Sequence, residues 1–359
     1  MTVPQHDAPR STDRTDETPT NQISVAKSAT GDKAGGVTAG GTPTSELVAS
    51  VSAALGNYRF DQYLNYPAIE RDGWAGYLLA RLAKSLSDPE QSFYVEDSPD
   101  GPVILAARVS AWDRDHFGFP MAAVRCVIAP DTEKAKPALG AVFSTCFSDL
   151  RERGVRFASG RFHGDQINVT HAAETAGFRY IESILWPVRA SPPDVSLVQD
   201  VRLMEERDLE GLKTLAVGNS YTRGHFYCDP GFDKTTVDSM YAKWLETAFR
   251  NKQPVTVIDY EDQCVGFFVV GIDEALSAAL GVKYGRLQSL VVDGRIRGKG
   301  LGIKLFHGTL ELLTAAGVQQ IDSGYSAKNH LSARIHAKDN FFTVYDENTF
   351  HIWLDSNTN

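Results

Sequence analysis

Between positions 287 and 306 an apolar run, Leu287-Gln288-Ser289-Leu290-Val291-Val292, passes through Asp293-Gly294-Arg295-Ile296-Arg297-Gly298-Lys299-Gly300-Leu301-Gly302 into a helical pattern. The run reads as a strand. Ile303, Phe306, Leu310 and Leu313 recur at three- and four-residue steps and read as one helix face. A strand that feeds a helix through so short a turn commits this stretch to layered α/β structure. The turn itself suits a phosphate. The first N–H groups of a helix lack internal partners and lie at the positive end of its dipole. Gly298, Gly300 and Gly302 let the backbone approach an anion and take positive φ, while Arg295, Arg297 and Lys299 add charge. The glycines spell neither a Walker A loop nor the G-x-G-x-x-G of dinucleotide sites. A pyrophosphate on successive amides is the expectation.

This basic turn is an exception in an acidic chain. The 359 residues carry a formal net charge of −9, which argues against nonspecific binding of nucleic acid or of an anionic membrane. Cys126, Cys146, Cys228 and Cys264 show no CxxC spacing, so neither a zinc ribbon nor a disulfide framework is expected, and no metal site. No stretch reads as a secretion signal or a bilayer span, and a cytoplasmic protein is expected. Nothing in the pattern fixes an oligomeric state.

Length alone favours two domains. Residues 1–45 are rich in Thr, Gly, Ser, Asp and Pro, and read as a disordered tail that cannot offset its ordering entropy. Residues 58–188 look globular: a helix near 77–82, a hairpin around Ser98-Pro99-Asp100-Gly101, a strand at 122–128, an amphipathic helix at 138–153, a strand at 155–159 and a short helix at 169–176. Pro192 and Pro193 mark a linker over 189–197. Across 198–355 the same order returns, with helices, a hairpin around Glu261-Asp262, strands at 287–292 and 318–325, helices at 302–316 and 331–338, and a terminal strand at 350–354. The repeated plan suggests a duplication, and the alternation predicts a mixed α/β sheet with helices on its faces.

The spacing Arg297-x-x-Gly300-x-Gly302 resembles the R/Q-x-x-G-x-G/A motif of the GNAT acetyltransferases, which grips the pyrophosphate of coenzyme A. In that family a strand precedes the motif, the next strand splays away, and an Asn, a short helix and aromatic residues follow. Here those are Asn329, residues 331–338 and Phe341-Phe342. The resemblance implies tandem GNAT-like domains. The C-terminal one would carry an intact acetyl-CoA motif: Leu290, Val292, Arg297, Gly298, Lys299, Gly300, Leu301, Gly302 and Asn329 would hold acetyl-CoA as co-substrate. In the N-terminal half the loop Ala129-Pro130-Asp131-Thr132-Glu133-Lys134-Ala135-Lys136-Pro137 has no glycine and two acidic residues, so that half is read as a degenerate GNAT-like domain.

Four shorter segments narrow the resemblance: Ala111-Trp112-Asp113-Arg114-Asp115-His116-Phe117-Gly118-Phe119, His225-Phe226-Tyr227-Cys228-Asp229-Pro230-Gly231-Phe232, Met240-Tyr241-Ala242-Lys243-Trp244-Leu245 and His351-Ile352-Trp353-Leu354. They are similar to segments of TDP-fucosamine acetyltransferase and its relatives, which acetylate the amine of a nucleotide-linked amino sugar. That similarity implies His225, Phe226 and Asp229 as substrate contacts. The family's short helix carries a Tyr that protonates the departing thiolate. Its position here holds His336, which becomes the expected acid. A backbone N–H at Leu290 or Val292 is the expected oxyanion donor. Transfer would be direct, because no Cys lies near the loop in sequence. Two further readings stay open: a GNAT enzyme acting on another small-molecule amine, and a GNAT-fold binding protein without catalysis.

Overall fold

A computed structural model describes residues 35–37, 45–55, 58–66, 73–74, 76–78, 81, 88, 90–191, 198–217, 224–296 and 298–355. The expected tail at 1–45 falls outside these residues except at 35–37 and Ser45. Much of the expected helix at 77–82, most of the linker and Arg297 fall outside them too.

The N-terminal half runs β1 (Gly35–Val37), α1 (Ser45–Leu55), β2 (Gln91–Ser98), β3 (Gly101–Val109), α2 (Ala111–Phe117), β4 (Met121–Ile128), α3 (Lys136–Glu152), β5 (Phe157–His163), α4 (Ile167–Thr175) and β6 (Arg179–Ala190). The C-terminal half runs β7 (Val201–Leu203), α5 (Leu209–Val217), α6 (His225–Cys228), α7 (Lys234–Arg250), β8 (Val255–Tyr260), β9 (Gln263–Ile272), α8 (Glu274–Leu280), β10 (Tyr284–Val292), α9 (Leu301–Ala315), β11 (Gln320–Ser323), β12 (Tyr325–Ser326), α10 (His330–Lys338) and β13 (Phe342–Trp353). Local chemistry explains many of the boundaries. Glu261 and Asp262 both take positive φ, the geometry a two-residue hairpin needs. Asp233 caps α7 by accepting from Thr236 N at 2.8 Å. The apolar stripe of α3, from Leu139 to Leu150, is buried as its spacing predicts.

Among the described residues the strands form one sheet in the order β1-β2-β3-β4-β5-β13-β6-β11-β10-β9-β8-β7, with β12 beside β6. The halves exchange strands. β13, the last strand of the chain, stands between β5 and β6 of the N-terminal half. β6 in turn pairs with β11 and β12 of the C-terminal half. Sequence reading expected only 350–354 as a terminal strand and nothing at 179–190; both are twelve-residue strands. Pro187 and the buried charges Glu182 and Glu347 disguise them, because strand exchange buries charged residues that an isolated domain would expose.

Two irregularities recur. β10 carries an extra residue, Gln288, against β9, and β4 carries an extra residue, Arg125, against β3. After each, the parallel partner strand departs. β4 pairs with β5 only over Met121–Val124, and β10 with β11 only over Tyr284–Leu287. The expected single strand at 318–325 therefore breaks. It leaves β10 after Ser323 and resumes as β12 against β6.

Candidate active site

The gap beyond Leu287 and Ser323 is bounded by β10 on one side and β12 on the other. Asp293 N donates to Val265 O at 2.9 Å, so position 293 faces β9. Backbone groups alternate along a strand, so the amides of Leu290 and Val292 turn away from β9 toward the gap. The turn that follows stands at its mouth. Gly298 and Gly300 have φ of 86° and 74°, and a side chain on either would meet nothing within 4 Å. That is open space beside backbone that only glycine adopts without strain. Gly300 caps α9 with no side-chain hydrogen bond. The residues fit a diphosphate: a helix end without a capping side chain, reached through two left-handed glycines.

The charges around it are partly committed. Arg295 pairs with Asp293 at 2.5 Å, and Lys304 reaches Asp200 at 2.5 Å. Lys299 hydrogen-bonds the Tyr260 hydroxyl and lies 4.4 Å from that ring, a neutral partner that leaves its charge available. Leu301, Leu305, Phe306, Leu310 and Leu313 seat α9 on the sheet, whereas Ile303, expected on that face, is exposed. Position 303 lies about 200° round the helix from Leu301 and Leu305, away from the sheet.

Asn329 caps α10, accepting from Ser332 N at 3.2 Å, so its side chain is spent on the helix. Along α10 the apolar Leu331 turns outward and the polar His336 inward. Leu331 is 65% exposed, and His336 is 3% exposed among Phe306, Tyr325 and Phe341. Its Nδ1 lies 2.7 Å from Ser332 O and donates to it, leaving Nε2 a lone pair. Nε2 is buried and has no partner among the described residues. Burial pushes the imidazole below its ordinary pKa, against the Ser332 carbonyl and Asp339. In this tautomer Nε2 is the free nitrogen and presents an acceptor, where the sequence led to the expectation of an acid. Tyr325 is half-buried, with its hydroxyl pushed up by burial, while Tyr345 lies on a different strand beside His163.

The four short segments that looked alike in sequence converge. Phe117 and Phe119 of the first, Phe226 and Phe232 of the second, Tyr241 of the third and Trp353 of the fourth pack round Met121, Phe157 and Val237. Asp229 lies buried within this knot. Its carboxylate accepts from His351 Nδ1 at 2.8 Å, from Gly231 N at 2.8 Å and from Trp353 Nε1 at 3.3 Å. Phe226 and Asp229, expected as substrate contacts, therefore fasten α6 and α7 to β13. His225, partly buried like Phe226, joins the same knot: its Nδ1 meets His351 Nε2 at 2.9 Å. Burial, then Arg161 and His351, hold it well below the usual imidazole pKa.

In the N-terminal half the matching gap is filled. Gln166 is buried there, and its amide donates to Val127 O at 3.2 Å. At the matching helix start Glu133 pairs with Lys136 at 2.6 Å, and Asp131 accepts from Asn168 at 3.1 Å. Two carboxylates stand where an anion would have to sit. A polar cavity of about 450 Å³ lies farther along, lined by Arg59, His163, Tyr345 and Asp346 among others.

Sequence reading missed Glu182 and Trp186 on β6 and gave His351 no role. A carboxylate within the apolar run Ile181-Glu182-Ser183-Ile184-Leu185-Trp186 was the available signal.

Residues 221–341 match the acetyltransferase (GNAT) family. No curated protein matches the chain's sequence. Among solved structures, a GCN5-related N-acetyltransferase from Sphaerobacter thermophilus is similar at 13% identity and TM-score 0.53, over 77% of this chain and 85% of that one. A tandem GNAT protein from the clavulanic acid biosynthesis pathway is similar at 15% identity and TM-score 0.50, over 77% of this chain and 88% of that one. The GCN5-related glucosamine N-acetyltransferase region of a fungal multi-domain GH3 β-N-acetylglucosaminidase is similar at 13% identity and TM-score 0.55, over 86% of this chain but 36% of that one. Identities this low speak to fold alone. The match over 221–341 supports the GNAT acetyltransferase superfamily for that segment, and these structures share the mixed α/β fold of the whole.

Proposed function

We propose that the C-terminal half, 198–355, transfers the acetyl group of acetyl-CoA directly to the amine of a small molecule, and that the half over 58–188 shapes the acceptor side without binding coenzyme. One observation carries this reading. A left-handed glycine turn opens a helix at the mouth of a strand gap in the C-terminal half, and the matching gap in the other half holds the Gln166 amide. Arg297, Gly298, Lys299, Gly300, Leu301 and Gly302 would hold the pyrophosphate. Leu290 and Val292 would offer amides to the pantetheine arm and the thioester carbonyl. When bound, acetyl-CoA supplies an activated acyl group and a thiol leaving group.

Amides fixed in the strand meet the developing oxyanion without reorganising, which is the chief electrostatic advantage available. Holding acceptor and thioester in line supplies much of the rest. His336 takes a role that suits its resting tautomer. Nε2 accepts the proton shed by the attacking amine and returns it to the sulfur, so one atom serves as base and then as acid. Asn329 acts by starting α10 at the point that carries His336 into the wall of the gap. His225 stands beside the partly open face where an acceptor would enter. An amino sugar is the acceptor favoured by the four sequence segments, and the nucleotide-linked form is the finer version of that reading.

Thiol release from acetyl-CoA, measured with a panel of amino sugars, polyamines and amino acids, tests the proposal. Turnover with one acceptor class, lost in Gly300→Glu, is the expected result. Acetyl-CoA binding without thiol release for any amine would leave a binding protein instead.

A further inference from the structure

Strand exchange carries a carboxylate of the N-terminal half to the catalytic gap of the other. On β6, Glu182 and Trp186 share one sheet face, because side chains two apart point the same way. Ser326 of β12 faces Ile184 in register, on that same face. Gly324 joins them, since a side chain there would meet the Trp186 ring at 2.9 Å. Helices α9 and α10 cover the opposite face, through Leu305, Phe306, Ile335 and Phe341. An acceptor must therefore reach the gap from the Glu182 side. Strands lie about 5 Å apart, so β6 is only one strand beyond the wall of the gap.

The polar atoms here are unusual. Glu182 is 2% exposed, and its Oε2 has no partner among the described residues. Trp186 Nε1 and Thr349 Oγ1 are buried and likewise unpartnered among them, Thr349 faces Glu182 in register, and the buried Ser326 Oγ has only the Glu182 carboxylate beside it. Buried polar atoms left short of partners on neighbouring strands are costly, since each forfeits its hydration. A ligand bearing hydrogen-bond donors and acceptors would satisfy them together. Burial raises the Glu182 pKa, opposed by a hydrogen bond from Ser326, by the charges of Arg161 and Lys328, and by the backbone N–H of His225. Arg161 is held by Glu347 at 3.3 Å, so it does not neutralise Glu182 outright.

We infer that Glu182 is the base that receives the acceptor ammonium, with Ser326, Trp186 and Thr349 holding polar groups of the same acceptor. This rests on the proposed transfer reaction and names a residue of it outside the half that binds coenzyme. The ammonium gives one proton to the Glu182 carboxylate and becomes a neutral amine. The amine nitrogen bonds the acyl carbon, the carbon–sulfur bond breaks, and the second amine proton passes through His336 to sulfur. Glu182 then releases its proton to water, so each turnover yields an amide, a thiol and one free proton. The acceptor class implied is a primary amine with neighbouring hydroxyl or carbonyl groups.

The test uses the full chain, acetyl-CoA and whichever amine of the panel wild type turns over fastest, followed by thiol release. Glu182→Gln is expected to lower kcat/KM by about 10²–10⁴-fold, with unchanged acetyl-CoA affinity and loss of the acidic limb of the pH profile. Glu182→Asp, which withdraws the carboxylate by one methylene, is expected to fall between and to keep that limb. If wild type is active and Glu182→Gln stays within a few-fold of it, the inference is overturned while the transfer reaction stands. If Glu182→Gln does not fold, Glu182→Asp decides: wild-type kcat with the pH profile unmoved overturns it. A wild type that transfers to no amine fails at the earlier step and takes both readings with it.

Discussion

Replacing His336 by Phe should make the protein more stable and less active. The histidine's short hydrogen bond, Nδ1 to Ser332 O at 2.7 Å, is worth about 1 kcal/mol, and the Ser332 hydroxyl at 3.4 Å adds little. Against that, Nε2 is buried without a partner among the described residues, at a cost of about 1–3 kcal/mol. Phe has a similar shape for a site walled by Phe306, Tyr325 and Phe341, and Ser332 O keeps its helical partner. The net change is a gain of roughly 0–2 kcal/mol, a rise of at most a few degrees in melting temperature. Turnover should fall about 10–10⁴-fold, because no atom then carries a proton between amine and sulfur. Acetyl-CoA affinity should not move. Thermal melts, calorimetry and thiol release on the same two proteins read all three. A Phe variant that melts lower and turns over normally would show a structural histidine and refute the shuttle.

Gly300→Glu should abolish acetyl-CoA binding while costing about 1–2 kcal/mol of stability for left-handed backbone, whereas Gly300→Ala pays the same strain and keeps measurable affinity; calorimetry on both separates charge from strain. Asp322→Ala should destabilise by about 3–5 kcal/mol in denaturant unfolding, because the fully buried carboxylate holds Arg286 at 2.7 Å and the Tyr66 hydroxyl at 2.7 Å, and its loss strands the guanidinium. His225, His336 and His351 all have lowered pKa values, chiefly from burial. Their folded forms bind protons more weakly than the unfolded chain, which titrates near 6.5, so this stability is full above about pH 6.5 and drains away as pH falls below it; a denaturation midpoint flat between pH 7.5 and 5.5 would contradict that.

The strand, glycine turn and helix start of the candidate site were legible because their signals are local. They fit within twenty residues, and each residue type there has its own physical reason. The hairpins at Pro99-Asp100 and Glu261-Asp262 and the stripe of α3 were readable for the same cause. The cluster around Glu182 was not. Glu182, Ser326 and Thr349 are distant in sequence and meet only because β6 and β13 trade places, and no periodicity encodes which sheet a strand will join. Asp229 misled in the other direction: an acidic residue in a recognisable segment looks like a ligand contact until its oxygens are found on His351, Gly231 and Trp353. Leu331 and His336 show the limit of helical spacing, which gives the angle between side chains but not the direction of the core.

The proposed transfer needs one coenzyme site, in the C-terminal half. Calorimetric titration of acetyl-CoA into the full chain should give one equivalent bound per chain, abolished by Gly300→Glu and untouched by Gln166→Ala. Two equivalents, or a single equivalent that survives Gly300→Glu, would contradict it.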